Sequence, residues 1–326
     1  MKRYLISGGA GFLGANLALR LLKDGNRVFV IDNLSTGSKK NLAELSKHPN
    51  FQFSKHDIRK PIKINQKFDY VLNLACPASP PRYYEDPILT LETNSIGAKN
   101  MLLVARKNKA RFFQTSTSEV YGDPKEHPQK ESYFGNVEPY CKRSCYDEGK
   151  RYAEALIWQY HNLFNIDTGI IRIFNTYGPR MDPDDGRVVT NFIKQALTGK
   201  PITIQGNGKQ TRSFCYVDDQ IEGMIKMIHS KEEGPINIGN PDEFTIKELA
   251  DLVIKLTDSC LPDFGELSRV AGTAKSKIIY VPAVVSDPKQ RRPDISLAKK
   301  KLGWKPKINL EEGLKRTIEW FKEQGY

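Results

Sequence analysis

The stretch Gly8-Gly-Ala-Gly-Phe-Leu-Gly14 constrains the fold of this chain more than any other, because of what flanks it. Arg3 to Ser7 reads as a short buried strand that enters the glycines without a gap. Leu17, Leu21 and Leu22 are spaced for a helix from Leu13 to Lys23, Gly25 ends it, and Arg27-Val-Phe-Val-Ile-Asp32 is a second strand. Gly8, Gly11 and Gly14 supply an unobstructed turn, close approach of backbone to a pyrophosphate, and tight packing of the helix. Asp32, at the tip of the second strand, can accept hydrogen bonds from a ribose diol and would repel a 2′-phosphate, which favours NAD over NADP.

The alternation continues along the chain. Strands are expected at Phe51 to His56, Phe68 to Ala75, Arg111 to Thr115 and Asp167 to Phe174, with helices at Asn94 to Lys107 and around Tyr146. Strands separated by helices make a parallel sheet with right-handed crossovers, so the expected fold is α/β, a Rossmann-type doubly wound parallel sheet. Ligands then collect at the carboxyl ends of its strands. Asp57 closes the third strand, where a carboxylate reaches adenine or simply caps an exposed strand end. Beyond Phe174, glycine, proline and polar residues become frequent. Pro235 to Gly239 looks like a strand returning to the sheet, Thr245 to Thr257 a capped helix, and Leu310 to Glu323 a final helix. The expected division is a dinucleotide-binding domain over 1–174 with a returning segment at about 212–240. A smaller C-terminal α/β substrate-binding domain takes 175–211 and 241–326.

A chain of 326 residues exceeds the usual size of a single core, which agrees with one large and one smaller domain. Its net charge of +12 favours an anionic partner. The cations are dispersed rather than clustered, which speaks against nucleic acid and leaves a phosphorylated small molecule. The five cysteines form no CxxC pair and have no histidine cluster beside them, so no metal site or disulfide framework is expected. The N-terminus enters a strand at once and no run of about 18 apolar residues occurs, which fits a cytoplasmic protein without a membrane anchor.

Two stretches carry the chemistry. The fifth strand ends in Ser116-Thr-Ser-Glu-Val-Tyr-Gly122, and Tyr146 and Lys150 stand four apart on one helix face. An ammonium beside a phenol favours the phenolate. Lowering a tyrosine pKa from about 10 to neutrality takes roughly 4 kcal/mol, more than one lysine supplies, so a second positive charge such as an oxidised nicotinamide is expected nearby. Thr117, Ser118, Glu119, Tyr146 and Lys150 would thus meet in one cleft. Arg187, Lys209 and Arg212, in loops with Asn and Gln, either meet a diphosphate and a flat pyrimidine or are solvated surface charges.

With these motifs together, the chain resembles the extended short-chain dehydrogenase/reductase superfamily and, within it, the UDP-glucuronate decarboxylases, or UDP-xylose synthases. The more selective marks are Ala75-Cys-Pro-Ala-Ser-Pro80, Ser116 to Pro124, His127-Pro-Gln129, Tyr146 to Arg151, Arg172 to Met181, Gly186-Arg-Val-Val189, Gln210 to Phe214 and Gly239-Asn-Pro241. The resemblance implies tightly held NAD and a UDP-sugar substrate. Oxidation at the sugar C4 gives a 4-keto acid, carbon dioxide is lost, and reduction returns UDP-xylose and NAD. Tyr146 would take the O4 proton, Thr117 and Ser118 would align C4, Glu119 would orient the ring or a water, and Lys150 would hold the nicotinamide ribose. The implied cofactor set is Gly8, Gly11, Phe12, Leu13, Gly14, Asp32, Asn33, Thr36, Gly37, Asp57, Ile58, Leu74, Ala75, Tyr146 and Lys150. The implied substrate set is Pro80, Tyr83, Asn175, Val188, Asn191, Arg212, Tyr216 and Arg291. A homodimer is implied too, through the helix after Asn94 and the one bearing Tyr146. The apolar positions Met101, Leu102, Val104, Ala153 and Leu156 could line that interface or face the chain's own sheet.

Ser118 separates neighbouring activities. Related 4,6-dehydratases carry an aspartate there, because expelling water from C6 needs an acid. Decarboxylation needs none, whereas 4-epimerases also carry a hydroxyl, so epimerase and dehydratase remain the alternatives. A non-enzymatic NAD-binding protein that holds RNA or a protein partner is the competing class, and it gives no reason for the Tyr146/Lys150 pair. Residues 258 to 276 look longer than the family's usual connection, and they fall in the sugar-binding half.

Overall fold

A computed structural model describes residues 1–258, 276–282 and 290–326. Seven parallel strands form the central sheet. They are β1 (Arg3–Ser7), β2 (Arg27–Asp32), β3 (Phe51–Lys55), β4 (Tyr70–Asn73), β5 (Arg111–Thr117), β6 (Thr168–Ile173) and a last strand, Ile236–Ile238. The order across the sheet is Ile236–Ile238, β6, β5, β4, β1, β2, β3. The chain therefore winds outward from β1 in one direction and from β4 in the other, and a crevice opens where the direction reverses. β5, central, is buried along its whole length, whereas β3, on the edge, exposes most of its residues and ends in Lys55.

Side chains pack on both faces. One cluster joins Leu17 and Val30 to Met224, Ile238, Leu249 and Phe321. The other gathers Leu5, Val71, Leu102, Phe112 and Ile157. Met101, Leu102 and Ala153 are fully buried, and Val104 and Leu156 are partly so, packed on that second cluster. These five positions thus face their own sheet.

Most elements lie where the pattern puts them, with ends shifted by a residue or two. The region expected as one helix from Asn94 is a π-helical turn, Thr93–Gly97, followed by an α-helix, Ala98–Asn108. The hydroxyls of Thr93 and Ser95 donate to the carbonyls of Leu89 and Leu91, a back-bonding that accompanies the wider turn. β5 runs two residues past its expected end and so carries Thr117. The helix bearing Tyr146 spans Ser144–Phe164.

Past β6 the described strands other than Ile236–Ile238 pair in twos. Thr176–Tyr177 runs beside Cys215–Tyr216, Thr211–Ser213 lies antiparallel to Glu243–Thr245, and Ile202–Gln205 is parallel to Ile278–Val281. The helix Ile246–Asp258 starts from a reciprocal cap: Thr245 Oγ1 accepts from Glu248 N at 3.0 Å, and Glu248 Oε2 accepts from Thr245 N at 2.7 Å. Apart from Asp258 and Ser276, the long 258–276 connection with its Cys260 lies outside the described residues, as does Asp287.

Candidate active site

At the carboxyl ends of β1, β2, β4, β5 and β6 a cleft of about 1120 Å³ opens, roomy enough for a dinucleotide and a nucleotide sugar. Its first end is built by the glycine loop. Gly8 has φ +72°, and a Cβ there would lie 2.7 Å from Ala75 Cα, so the loop presses against the chain leaving β4. A methyl on Gly14 would stand 2.1 Å from Gly8 O. The helix Phe12–Lys23 therefore starts flush against the loop, and no side chain caps its first turn. Asp32 accepts from Ala10 N at 2.9 Å and Leu34 N at 2.8 Å. Burial raises its pKa despite those two donors. A Cβ on Gly37 would lie 3.1 Å from both Asp32 oxygens. Phe12, Leu13, Asn33, Thr36, Ile58, Leu74 and Ala75 line the same cleft. So does Asp57, whose carboxylate is held by Arg59 at 2.8 Å, a pairing that lowers its pKa.

At the other end Tyr146 is stacked on Tyr83, ring centroids 5.0 Å apart and planes 10° from parallel. Lys150 Nζ lies 5.8 Å from the centre of the Tyr146 ring and donates to Thr115 O at 3.0 Å. Here the structure corrects the expected electrostatics. Burial raises the Tyr146 pKa well above the usual phenol range, and Cys76 and Glu119 add to it. A hydrogen bond from Thr117 and the charge of Arg187 oppose the rise. The same burial lowers the pKa of Lys150, whose ammonium is anchored on the Thr115 carbonyl.

Glu119 is held on both sides. Arg143 Nη2 donates to its Oε2 and Arg291 Nη1 to its Oε1, and Arg291 also reaches Gly122 O at 3.1 Å. Burial alone would raise the Glu119 pKa; the two arginines overcome that and hold it below the usual carboxylate value. Glu119 is therefore an ionised, fully partnered carboxylate and not an acid in reserve. Ser118, 2% exposed, stands beside it.

Pro80, Tyr83, Asn175, Val188, Asn191, Arg212 and Arg291 line the cleft as well. Tyr216 does not: it is buried against Tyr177, with the Arg316 guanidinium 5.7 Å from its ring. Sequence reasoning missed Arg143, which lines the cleft three residues before Tyr146. The signal was available, because positions three apart share a helix face. Cys76 was likewise passed over; its Sγ accepts from Asn94 Nδ2 at 3.1 Å. Among the described residues no group of three His, Cys, Asp or Glu side chains is arranged to hold a metal.

Comparison with known proteins agrees with this geometry. The model of the family described as GDP-mannose 4,6 dehydratase matches residues 5–317. UDP-glucuronic acid decarboxylase 3 of Arabidopsis thaliana is 51% identical over 98% of this chain and 89% of its own length. UDP-glucuronic acid decarboxylase 1 of Danio rerio is 46% identical over 99% of this chain and 73% of its own. Among solved structures, the UDP-glucuronic acid 4-epimerase of Bacillus cereus, in complex with UDP-glucuronic acid and NAD, superposes with a TM-score of 0.81 at 30% identity, covering 99% of both chains. The UDP-glucose 4-epimerase of Thermotoga maritima gives a TM-score of 0.85 at 29% identity, again over 99% of both chains. With its seven-stranded parallel sheet, its glycine loop and its Tyr146/Lys150 pair, the chain belongs to the UDP-glucuronic acid decarboxylase family of the extended short-chain dehydrogenases/reductases.

Proposed function

We propose that this protein converts UDP-glucuronic acid to UDP-xylose and carbon dioxide through a 4-keto intermediate, with NAD regenerated in each cycle. The carrying observation is the Ser118–Glu119 pair: a neutral hydroxyl beside a carboxylate locked by two arginines provides no acid to expel water from C6. That favours decarboxylation over dehydration. The curated relatives at 46–51% identity are decarboxylases, which favours it over epimerisation.

The residues at the first end of the cleft fit NAD: the uncapped helix start takes the pyrophosphate and Asp32 the adenosine ribose diol. When bound, NAD supplies the two-electron oxidant for the sugar C4 and the reductant that later restores its alcohol. Tyr146 receives the O4 proton and returns it, while Thr117 keeps the phenol aimed. Once C4 is a ketone, the C6 carboxylate is β to a carbonyl, and its departure leaves an enolate on O4 that the Tyr146 hydroxyl stabilises. Lys150, fixed on Thr115 O, holds the nicotinamide ribose. Arg143, Arg187 and Arg291 give the chamber the positive charge an anionic sugar needs. In this division residues 1–174 and 212–240 hold the cofactor, and 175–211 with 241–326 hold the sugar nucleotide.

The protein works as a homodimer in this proposal. Ile88, Leu91, Ile96, Leu103, Trp158 and Leu163 are exposed on Pro87–Glu92, Thr93–Gly97, Ala98–Asn108 and Ser144–Phe164, a run of neighbouring helical segments, and a second copy would cover them. No described helix is long and apolar enough to cross a membrane, and we place the protein in the cytoplasm. The deciding experiment is mass spectrometry of UDP-glucuronic acid incubated with the purified protein. A product lighter by one carbon dioxide supports the reading, and an unchanged mass rejects it.

A further inference from the structure

One acid beside the reacting groups has no part in the chemistry above. Asp147 follows Tyr146 on the same helix but does not line the cleft, and it is 5% exposed. Its Oδ1 is buried without a hydrogen-bond partner, and its Oδ2 meets Arg143 Nε at 3.5 Å. Glu119 is treated differently, with a close guanidinium on each oxygen. One arginine thus stands between a half-buried acid and a buried one, tightly joined to Glu119 and loosely to Asp147.

The charge of this cluster depends on which acid is ionised. Two arginines and ionised Glu119 sum to one positive charge; ionised Asp147 would bring the sum to zero. A buried carboxylate with an unpartnered oxygen is far costlier than the neutral acid. Where two acids compete for shared partners their titrations separate, the better-paired one ionising first. Glu119 is the better paired, so Asp147 is the one that retains its proton.

Resting on the proposed decarboxylase reading, we infer that Asp147 is a positioning residue that stays protonated in the substrate-ready site, so that Arg143, Glu119 and Arg291 together present a net positive charge to the carboxylate of an incoming uronate. Ionised Asp147 draws Arg143 back and cancels that charge. The groups facing Asp147 are Arg143 and Cys145 from its own stretch of chain, Glu119 from the turn after β5, Arg291 from the C-terminal segment and Tyr83 from the helix Pro80–Glu85. Burial pushes its pKa up to about 7, with Glu119 adding to the rise and both arginines opposing it. The switch therefore falls near neutrality.

The test is binding of UDP-glucuronic acid, followed by calorimetry from pH 5.5 to 9 in the Tyr146→Phe protein with bound NAD, where turnover does not interfere. UDP-glucose, which has the same diphosphate and no carboxylate, is the control. Affinity for UDP-glucuronic acid is expected to fall above pH 7, approaching tenfold per unit, with no such step for UDP-glucose. Adding Asp147→Asn should remove the step and hold the affinity at its low-pH value. A pH-independent affinity in the Tyr146→Phe protein overturns the inference without any need for the Asn variant. So does the same step for UDP-glucose, or its persistence in the Asn variant. Failure of the wild-type protein to release carbon dioxide would instead reject the decarboxylase reading, and it is observed separately.

Discussion

Tyr146 works under a constraint set by its own burial. Burial holds its pKa above the usual phenol range, so in the proposed mechanism the phenolate that takes the O4 proton would need a further positive charge beside it, which an oxidised nicotinamide would supply. Tyr146→Phe keeps the ring that stacks on Tyr83 and deletes only the hydroxyl. Turnover should fall by on the order of 10²–10⁴ while bound NAD is retained, and unchanged turnover would defeat the mechanism. At the opposite end of the cleft, Gly14→Ala places a methyl 2.1 Å from Gly8 O. The loop and helix must separate, at a cost of about 1–3 kcal/mol; NAD content after purification should drop together with the melting temperature. For Asp147 the linkage has a definite sign. Its folded pKa is raised from 3.8 to about 7, so its contribution to stability is complete below pH 4 and is lost as pH rises through 7. Asp147→Asn should therefore gain melting temperature over the wild type as pH rises from 4 to 8, with a larger advantage at pH 8 than at pH 5; the reverse order would contradict the burial argument.

At the level of elements, period-2 and period-3.6 patterns were enough to find the sheet. Arg27–Asp32 and Leu310–Glu323 begin and end where the spacing places them. The π-helical turn at Thr93–Gly97 was not legible, because it accompanies hydroxyls bonding back to the carbonyls of Leu89 and Leu91, which apolar spacing does not report. Nor could periodicity tell which apolar stripe of the Ser144–Phe164 helix faces inward. Ala153 and Ile157 take the sheet, which leaves Trp158 60% and Leu163 71% exposed. If the proposed dimer forms through this face, the combined change Trp158→Glu and Leu163→Glu should convert it to a monomer in analytical ultracentrifugation with the fold intact. If the variant and the wild type sediment alike, this face is not the interface.

For the whole molecule, the cleft is walled by segments from Gly8 to Tyr326, so anything bound in it ties the two halves together. Adding NAD at about a hundred times its dissociation constant to stripped protein should stabilise it by roughly 2.7 kcal/mol, seen as a higher melting temperature, and no shift would argue against the cofactor site. The sequence by itself determined the parallel sheet and the glycine-loop end of the cleft, and it nominated the proposed reacting pair. Those features reside in local patterns: a glycine loop between a strand and a helix, an acid at a strand tip, a tyrosine and a lysine one turn apart. Tertiary structure alone decided what those groups experience. Arg291 reaches Glu119 across 172 residues, and Arg143 closes on it from a different element. Tyr216, close in sequence to Arg212, is packed away against Tyr177, and the Lys150 ammonium turns to the Thr115 carbonyl. Charge and solvation act through space in a low-dielectric interior, so a residue's protonation and partners follow from which distant segments the fold brings beside it.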